Sequence, residues 1–155
     1  MVLPTDHPRP PVQTFQGTSE FLQFSPELTE QLKNLSLKSG TTFFMTLLSA
    51  FAILLSRYTA MDDIIIGFPT ANRTHPQLEP LIGLFVNTLL LRIDLKGNPQ
   101  FEALLQSVKR ITLEAYTNQD IPFEKLVEEL QLERDMSYSP LFQVAFVFQK
   151  TPLEN

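Results

Sequence analysis

The sequence predicts an α/β protein in which helices pack on a mixed sheet in two layers. Helix-period apolar patterns alternate along the chain with short β-branched or alternating runs, which is typical of this class. No segment repeats at a period of about 20–50 residues, which argues against a repeat array. With 155 residues, 43% of them hydrophobic and 19% charged, the chain is long enough and apolar enough for one buried core.

The N-terminal region predicts an extended linker followed by a strand. Residues 1–16 contain Pro4, Pro8, Pro10 and Pro11, and prolines at this density favour an extended segment without a stable helix. The partly alternating run SEFLQFS at 19–25 predicts the first strand.

Two helices are predicted next. Ser25 is a suitable N-cap and Pro26 a suitable first residue for a helix over 26–39, which Gly40 would end. The apolar tract FFMTLLSAFAILL at 43–55 predicts a buried helix over about 42–58. At thirteen residues this tract is shorter than a membrane span, so no membrane partner is expected.

The middle of the chain predicts two strands joined by a polar loop. The run DDIIIGFP at 62–69 predicts a buried strand, which Gly67 and Pro69 would end. After the loop TANRTHPQLEP, a second and longer strand is expected over 82–93, before the turn KGNP.

Helices and a last strand are expected in the remainder. Asn98 is the expected N-cap of a third helix. Asp120 and Pro122 would begin a fourth, and the alternating run LFQVAFVFQ at 141–149 predicts the last strand.

Composition argues against several classes of function. The net charge of −5, without a cluster of basic residues, makes nucleic acid an unexpected partner. No cysteine is present, and His7 and His75 each stand alone beside a proline, so neither a thiolate nucleophile nor a metal site is predicted. The first residues lack the apolar region of a signal peptide, and we expect a cytoplasmic location.

Three segments carry polar residues that a simple core or surface does not require. In IGLFVNTLLLR, the strand period places Asn87 on the face of Phe85 and Leu89, and Thr88 on the other face with Arg92. Asn87 therefore either bonds to neighbouring backbone or has a functional role.

The second and third segments lie further along the chain. In NQDIPFEKLVEEL, a capped helix start explains Asp120 and Pro122 but leaves Asn118 and Gln119 unexplained. In RDMSYSPL, the neighbours Arg134 and Asp135 would also suit a surface ion pair, which contributes ~0–1 kcal/mol.

Taken together, the three segments resemble the downstream motifs of condensation domains of nonribosomal peptide synthetases. IGLFVNTLLLR is similar to the motif I-G-x-F-V-N-T-x-x-x-R, NQDIPFE to [HN]-Q-D-Y-P-F-E, and RDMSYSPL to R-D-x-S-R-N-P-L. The stretches LPTDHPRP, DDIIIGFPTANR and FEKLVEEL also resemble the family's usual sequence. Ile121 stands where the family usually has Tyr, and Tyr138-Ser139 where it usually has Arg-Asn.

The resemblance implies a lobe of chloramphenicol-acetyltransferase-like fold. It implies a Pro-rich inter-lobe linker at 1–16, most of a C-terminal lobe at 17–150 and a tail at 151–155. The family's catalytic H-H-x-x-x-D-G motif does not occur in this sequence, so no catalytic residue is predicted in the chain.

Site residues are expected in two groups. Substrate-tunnel or motif-supporting roles would fall to Gly83, Phe85, Asn87, Thr88, Arg92, Asn118, Gln119, Asp120, Pro122 and Phe123. Interface or docking roles would fall to Arg134, Asp135, Ser137 and Pro140.

The resemblance further implies partners and a reaction. An N-terminal condensation lobe, peptidyl carrier domains and adenylation domains would be the partners, and phosphopantetheine arms of the carriers would deliver the substrates, with no cofactor bound directly. The reaction would form an amide between a carrier-bound thioester donor and an aminoacyl acceptor. An isolated lobe is expected to self-associate.

Alternative interpretations remain open at this point. The chain could be a non-catalytic carrier-docking module or a gene remnant, and an epimerisation domain of the same superfamily is a third candidate, which GLFVNT and NQDIPFE disfavour. Asn87 would either orient a substrate arm or hold the loop 67–76 in place.

Overall fold

The computed structural model of the chain describes residues 3–8, 10–12, 14–131, 139 and 141–149. This part of the chain has the predicted α/β class. Its elements are helices α1 (Pro26–Lys38), α2 (Phe43–Thr59), α3 (Phe101–Thr117) and α4 (Phe123–Glu129), strands β1 (Asp63–Thr70) and β2 (Asn87–Asp94), and a short 3₁₀ helix (Pro76–Leu78).

Strands β1 and β2 form an antiparallel pair that carries the core. The register runs from Asp63 opposite Asp94 to Thr70 opposite Asn87. Alternate residues of each strand point to the same face. That face is buried and is formed by Ile64, Ile66, Phe68, Leu89, Leu91 and Ile93.

Helices α2 and α3 pack against this face and against each other. α2 contributes Met45, Leu48, Ala52 and Leu55 to the core. α3 contributes Leu104, Leu105 and Val108. The burial of α2 confirms the prediction that other elements cover its apolar tract.

α1 lies at the edge of the molecule and contacts α2. Its expected ends are confirmed, because the Ser25 hydroxyl accepts a hydrogen bond from Leu28 N at 3.2 Å and Gly40 has a φ of +62°. In the interface, the buried hydroxyls of Ser36 and Thr46 are 2.7 Å apart. Only Ser36 of α1 is buried, so most of this helix faces solvent.

The segment 141–149 lies beside the free edge of β1. Gly67 N donates to Val144 O at 3.0 Å, and Phe146 N donates to Gly67 O at 2.8 Å. The bridge is parallel and involves a single residue of each segment, Gly67 and Ala145. The expected last strand is therefore reduced to one bridge, although its chain does lie at the sheet.

Two other strand predictions are wrong. Residues 19–25 form no strand: they are exposed, and no described segment pairs with them. The second sheet strand begins at Asn87 and not at 82, because β1 ends at Thr70, the partner of Asn87, and the residues before Asn87 have no strand opposite them.

The expected starts of two helices also need correction. Gln100, and not Asn98, is the N-cap of α3, and it makes no side-chain capping bond. Asn98 has a φ of +52° and belongs to the turn with Gly97, since Asn tolerates the left-handed region. Pro122 is the N-cap of α4, and Asp120 does not cap it.

Among the described residues, no single helix is long and apolar enough to cross a membrane. The pair α1 and α2, bent by 106°, meets the length and composition of a span only when taken together.

Candidate functional site

Asn87 is the centre of the candidate site, because its side chain joins the start of β2 to the loop between α3 and α4. Its Nδ2 donates to Gln119 O and to Ile121 O, both at 2.8 Å. Its Oδ1 accepts from Thr88 N at 2.9 Å and from Phe123 N at 3.2 Å. Both donor hydrogens and both acceptor positions of the amide are thus in use.

A second bond holds the same loop from β1. The Thr70 hydroxyl donates to Gln119 Oε1 at 3.0 Å. Thr70 and Asn87 are partners in the antiparallel register, so one end of the strand pair presents both side chains to the loop. We call this arrangement, Thr70 and Asn87 with residues 119–123, the Asn87 clasp.

The clasp explains the unexpected polar residue in the first motif. The hydrogen bonds match the interpretation in which Asn87 is tied to neighbouring backbone, but the loop that it holds is 119–123 and not 67–76. Because its polar atoms are occupied, the side chain has no donor left for a substrate arm in this conformation.

The predicted residues next to the clasp take different places. Asn118 is the C-cap residue of α3, and its Nδ2 donates to Glu114 O at 2.9 Å. Phe123 contacts Phe142 edge to face at 5.7 Å between ring centroids, which joins α4 to the segment at β1. Asp120 and Pro122 are exposed.

Gly83 and Phe85 belong to the loop that leads into β2. A Cβ atom on Gly83 would lie 3.0 Å from the Phe85 ring, so the glycine leaves room for that ring. On the Phe85 ring lies the guanidinium of Arg73, 4.4 Å from the centroid. The same guanidinium donates to Leu78 O, and at 3.4 Å to Glu79 O.

Thr88 and Arg92 lie on the sheet face opposite the core. Thr88 takes part through its backbone N–H, which donates to Asn87. Arg92 forms a two-pronged ion pair with Asp63 of β1, with Nε–Oδ1 at 2.9 Å and Nη2–Oδ2 at 2.7 Å. The hydrogen bonds from Arg92 lower the pKa of the Asp63 carboxyl, and the same pair raises the pKa of Arg92.

The structure therefore unites the first two motifs and leaves Arg92 near the other end of the strands. The four residues predicted from the third motif lie outside the described residues: Arg134, Asp135, Ser137 and Pro140. Residues that sequence reasoning missed are Thr70, Arg73 and Tyr116. Tyr116 contacts the buried Phe68 edge to face at 5.8 Å, and burial raises the pKa of its hydroxyl.

A signal for two of the missed residues was present in the sequence. The stretch DDIIIGFPTANR contains both Thr70 and Arg73, and its similarity to the family concerned the strand rather than these side chains. Pairing the predicted strands in antiparallel order would have placed Thr70 near Asn87, but the register cannot be fixed without the end of β1.

A cavity of about 780 Å³ opens at the opposite end of the sheet. It lies between the end of α2 and the start of α3, and its lining includes Arg57, Asn98 and Phe101. None of the predicted site residues lines it. Among the described residues, no group of three or more His, Cys, Asp or Glu is placed to hold a metal ion.

Comparisons with known proteins agree on one family. A family model described as "Condensation domain" matches residues 1–155. A linear gramicidin synthase of Brevibacillus parabrevis is 57% identical over 152 residues, which are 98% of this chain and 3% of that protein. Malpinin synthetase of Mortierella alpina is 51% identical over 147 residues, which are 95% of this chain and 2% of that protein.

Solved structures give the same result for the fold. A four-domain nonribosomal peptide synthetase bound to AMP and glycine matches with a TM-score of 0.93 and 30% identity, over 96% of this chain and 11% of that one. The X-domain from teicoplanin biosynthesis matches with a TM-score of 0.88 and 31% identity, over 93% of this chain and 32% of that one. The chain therefore spans only a small part of each curated relative named above.

Proposed function

The chain belongs to the condensation-domain family, and from that premise we propose that it is part of a C-terminal lobe acting in nonribosomal peptide synthesis. The proposed reaction joins a carrier-bound aminoacyl or peptidyl thioester to the amine of a carrier-bound aminoacyl acceptor. Phosphopantetheine arms of the carriers would deliver both substrates. We place this reaction in the cytoplasm, with no role for nucleic acid.

The observation that carries the proposal is the Asn87 clasp. Two segments that resemble family motifs, IGLFVNTLLLR at 82–92 and NQDIPFE at 118–124, are separated by the whole of α3. Asn87 Nδ2 nevertheless bonds to Gln119 O and Ile121 O. Both motifs thus contribute to one built feature, which supports a shared role for them in the domain.

The proposed role of this feature is to shape the substrate path rather than to transfer protons. Asn87 has no free donor, and amides do not titrate near neutral pH. The sequence contains no H-H-x-x-x-D-G motif, so the base would come from the partner lobe. The other proposed partners are peptidyl carrier and adenylation domains of the synthetase.

A chimera tests the proposal directly. Residues 1–155 replace the matching segment of the linear gramicidin synthase of Brevibacillus parabrevis, and the chimera is mixed with loaded donor and acceptor carriers. Intact-protein mass spectrometry then detects dipeptidyl thioester on the acceptor carrier. We expect product from the chimera and none above background from the isolated chain, which lacks a positioned base.

The same experiment distinguishes the alternative of a non-catalytic carrier-docking module or gene remnant. A folded chimera that binds both carriers but forms no product, beside an active parent synthetase, would support that alternative. Product from the isolated chain would overturn the two-lobe proposal.

A further inference from the structure

The loop before β2 displays an apolar row. Ile82, Leu84 and Val86 alternate along an extended stretch, and their side chains are fully exposed, 94% exposed and 60% exposed. Phe85, which lies between the last two, is half-buried under Arg73. We call Ile82, Leu84 and Val86 the apolar row.

Arg73 fixes the loop that carries the row. Its guanidinium lies 4.4 Å from the centroid of the Phe85 ring and also donates to the carbonyls of Leu78 and Glu79. One side chain therefore joins both ends of the stretch from 78 to 85. Gly83 allows the arrangement, because a Cβ there would press on the Phe85 ring at 3.0 Å.

This arrangement works against hydrophobic collapse of the loop. Apolar side chains gain free energy when they leave water. With Phe85 turned inward under Arg73, its neighbours Leu84 and Val86 are turned outward. A loop that holds apolar side chains in solvent in a fixed arrangement has the features of a preorganised contact surface.

We propose that Arg73 is a positioning residue that presents the apolar row to the remainder of the same condensation domain, outside this chain. The inference rests on the proposed function for the identity of that partner. The chain matches only 32% of the X-domain structure, so about two thirds of that structure has no counterpart here. No charged residue occurs between Pro80 and Leu91, so the partner surface is apolar.

Hydrogen exchange of the backbone amides tests the first half of the proposal. In the isolated chain at low concentration, amides 81–86 exchange quickly, because no described segment covers them. In the chimera they should exchange about tenfold more slowly, since a covered segment opens less often. Equal exchange in the two proteins would overturn the proposal.

Substitutions at Arg73 test the second half. Arg73→Ala in the chimera should remove most of the protection of amides 81–86. Arg73→Lys should restore little of it, because an ammonium lacks the planar fork that stacks and donates together. Arg110→Ala is the matched control: Arg110 is an exposed arginine that pairs with Glu114 within α3. Wild-type protection in both Arg73 variants would overturn the positioning role.

Other occupants of the row give different results in the same experiment. Protection that grows with the concentration of the chimera would indicate a second copy, and protection that appears only after the carriers are loaded would indicate an acyl substrate. Either result overturns the proposal. Protection without product formation would leave the inference standing and contradict only the proposed function. If Arg73→Ala does not fold by circular dichroism, Arg73→Gln is used in its place.

Discussion

Asn87 shows how one side chain can replace several backbone partners. The start of β2 and the loop 119–123 offer two N–H groups and two carbonyls that belong to no helix or sheet ladder, and the amide bonds to all of them. Only a carboxamide offers two donors and two acceptors at this size. Asp would lack the donors, and Leu of similar volume would lack all of them.

Asn87→Ala should therefore lower the stability of the chain. The change leaves four partly buried backbone groups to find water, and we expect a loss of about 1–3 kcal/mol. Urea unfolding followed by circular dichroism measures it. Asn34→Ala, at an exposed position in α1, is the control and should change stability by less than about 0.5 kcal/mol. Equal effects of the two changes would show that the clasp contributes nothing specific.

The ion pair between Arg92 and Asp63 predicts a pH dependence. Because the hydrogen bonds from Arg92 lower the pKa of Asp63 in the folded state, folding favours the ionised carboxylate. The contribution is fully present above the unfolded value of about 3.9 and is lost as the pH falls through the lowered value.

The difference in stability between wild type and Arg92→Gln measures this contribution. It should be small and positive at neutral pH, because the pair is exposed, and should vanish in acid. It should also shrink in about 1 M salt, where the Debye length is ~3 Å. A difference that is constant with pH would mean that Arg92 acts through packing alone.

Gly67 shows how one element depends on the absence of a side chain in another. It lies in β1, and Phe142 lies directly over it: a Cβ at Gly67 would be 2.7 Å from the ring. Its N–H and C=O also form the two bonds to the segment 141–149. The glycine thus lets ring and strand meet at one point.

Gly67→Ala should displace the segment 141–149. Overpacking at such a contact costs typically about 1–3 kcal/mol. We expect a lower melting temperature and faster proteolysis within 141–149. Gly17→Ala, where no atom lies within 4 Å of the added Cβ, serves as control. The double variant Gly67→Ala/Phe142→Ala should recover part of the docking of 141–149, and a failure to do so would mean that the clash with the ring is not the cause.

Sequence patterns predicted the helices better than the strands for a physical reason. A helix satisfies its backbone locally, so Ser25, Pro26 and Gly40 were enough to bound α1. A strand needs a neighbour, and residues 19–25 have strand-like composition without one among the described residues. The same cause shortened β2, which begins only where Thr70 lies opposite.

The candidate site was predictable in membership but not in geometry. Family-like motifs identified Asn87 and Gln119, yet only the fold shows that the Gln119 contribution to Asn87 is its carbonyl. Arg73 was missed because its partners, Leu78, Glu79 and Phe85, lie in a loop without periodicity. Contacts of that kind depend on how a loop folds back, which no repeat in the sequence reports.

At the scale of the whole molecule, two exposed features coincide at β2. The apolar row stands before the strand, and no described strand pairs with the edge of β2 away from β1. An uncovered edge next to apolar side chains favours association between copies.

The isolated chain should accordingly self-associate despite its net charge of −5. Sedimentation velocity over a concentration series should show growing species. Leu84→Lys should reduce the association without changing the fold, because that side chain is 94% exposed. Leu37→Lys, at a side chain 76% exposed on α1, should not. A monomer at every concentration would mean that the chain covers its own edge.

The single bridge at Gly67 has a mechanical consequence. β1 is joined to β2 by eight residue pairs, but the segment 141–149 is joined to β1 through the two bonds of one residue, with ring contacts from Phe146 and Phe148. Tension applied beyond residue 149 therefore breaks this joint before it reaches the hairpin. Its rupture releases nine residues, an extension of about 30 Å at ~3.3–3.6 Å per residue. The joint thus limits the force that a moving neighbour can transmit into the core, and the Asn87 clasp stays intact while the connection lengthens.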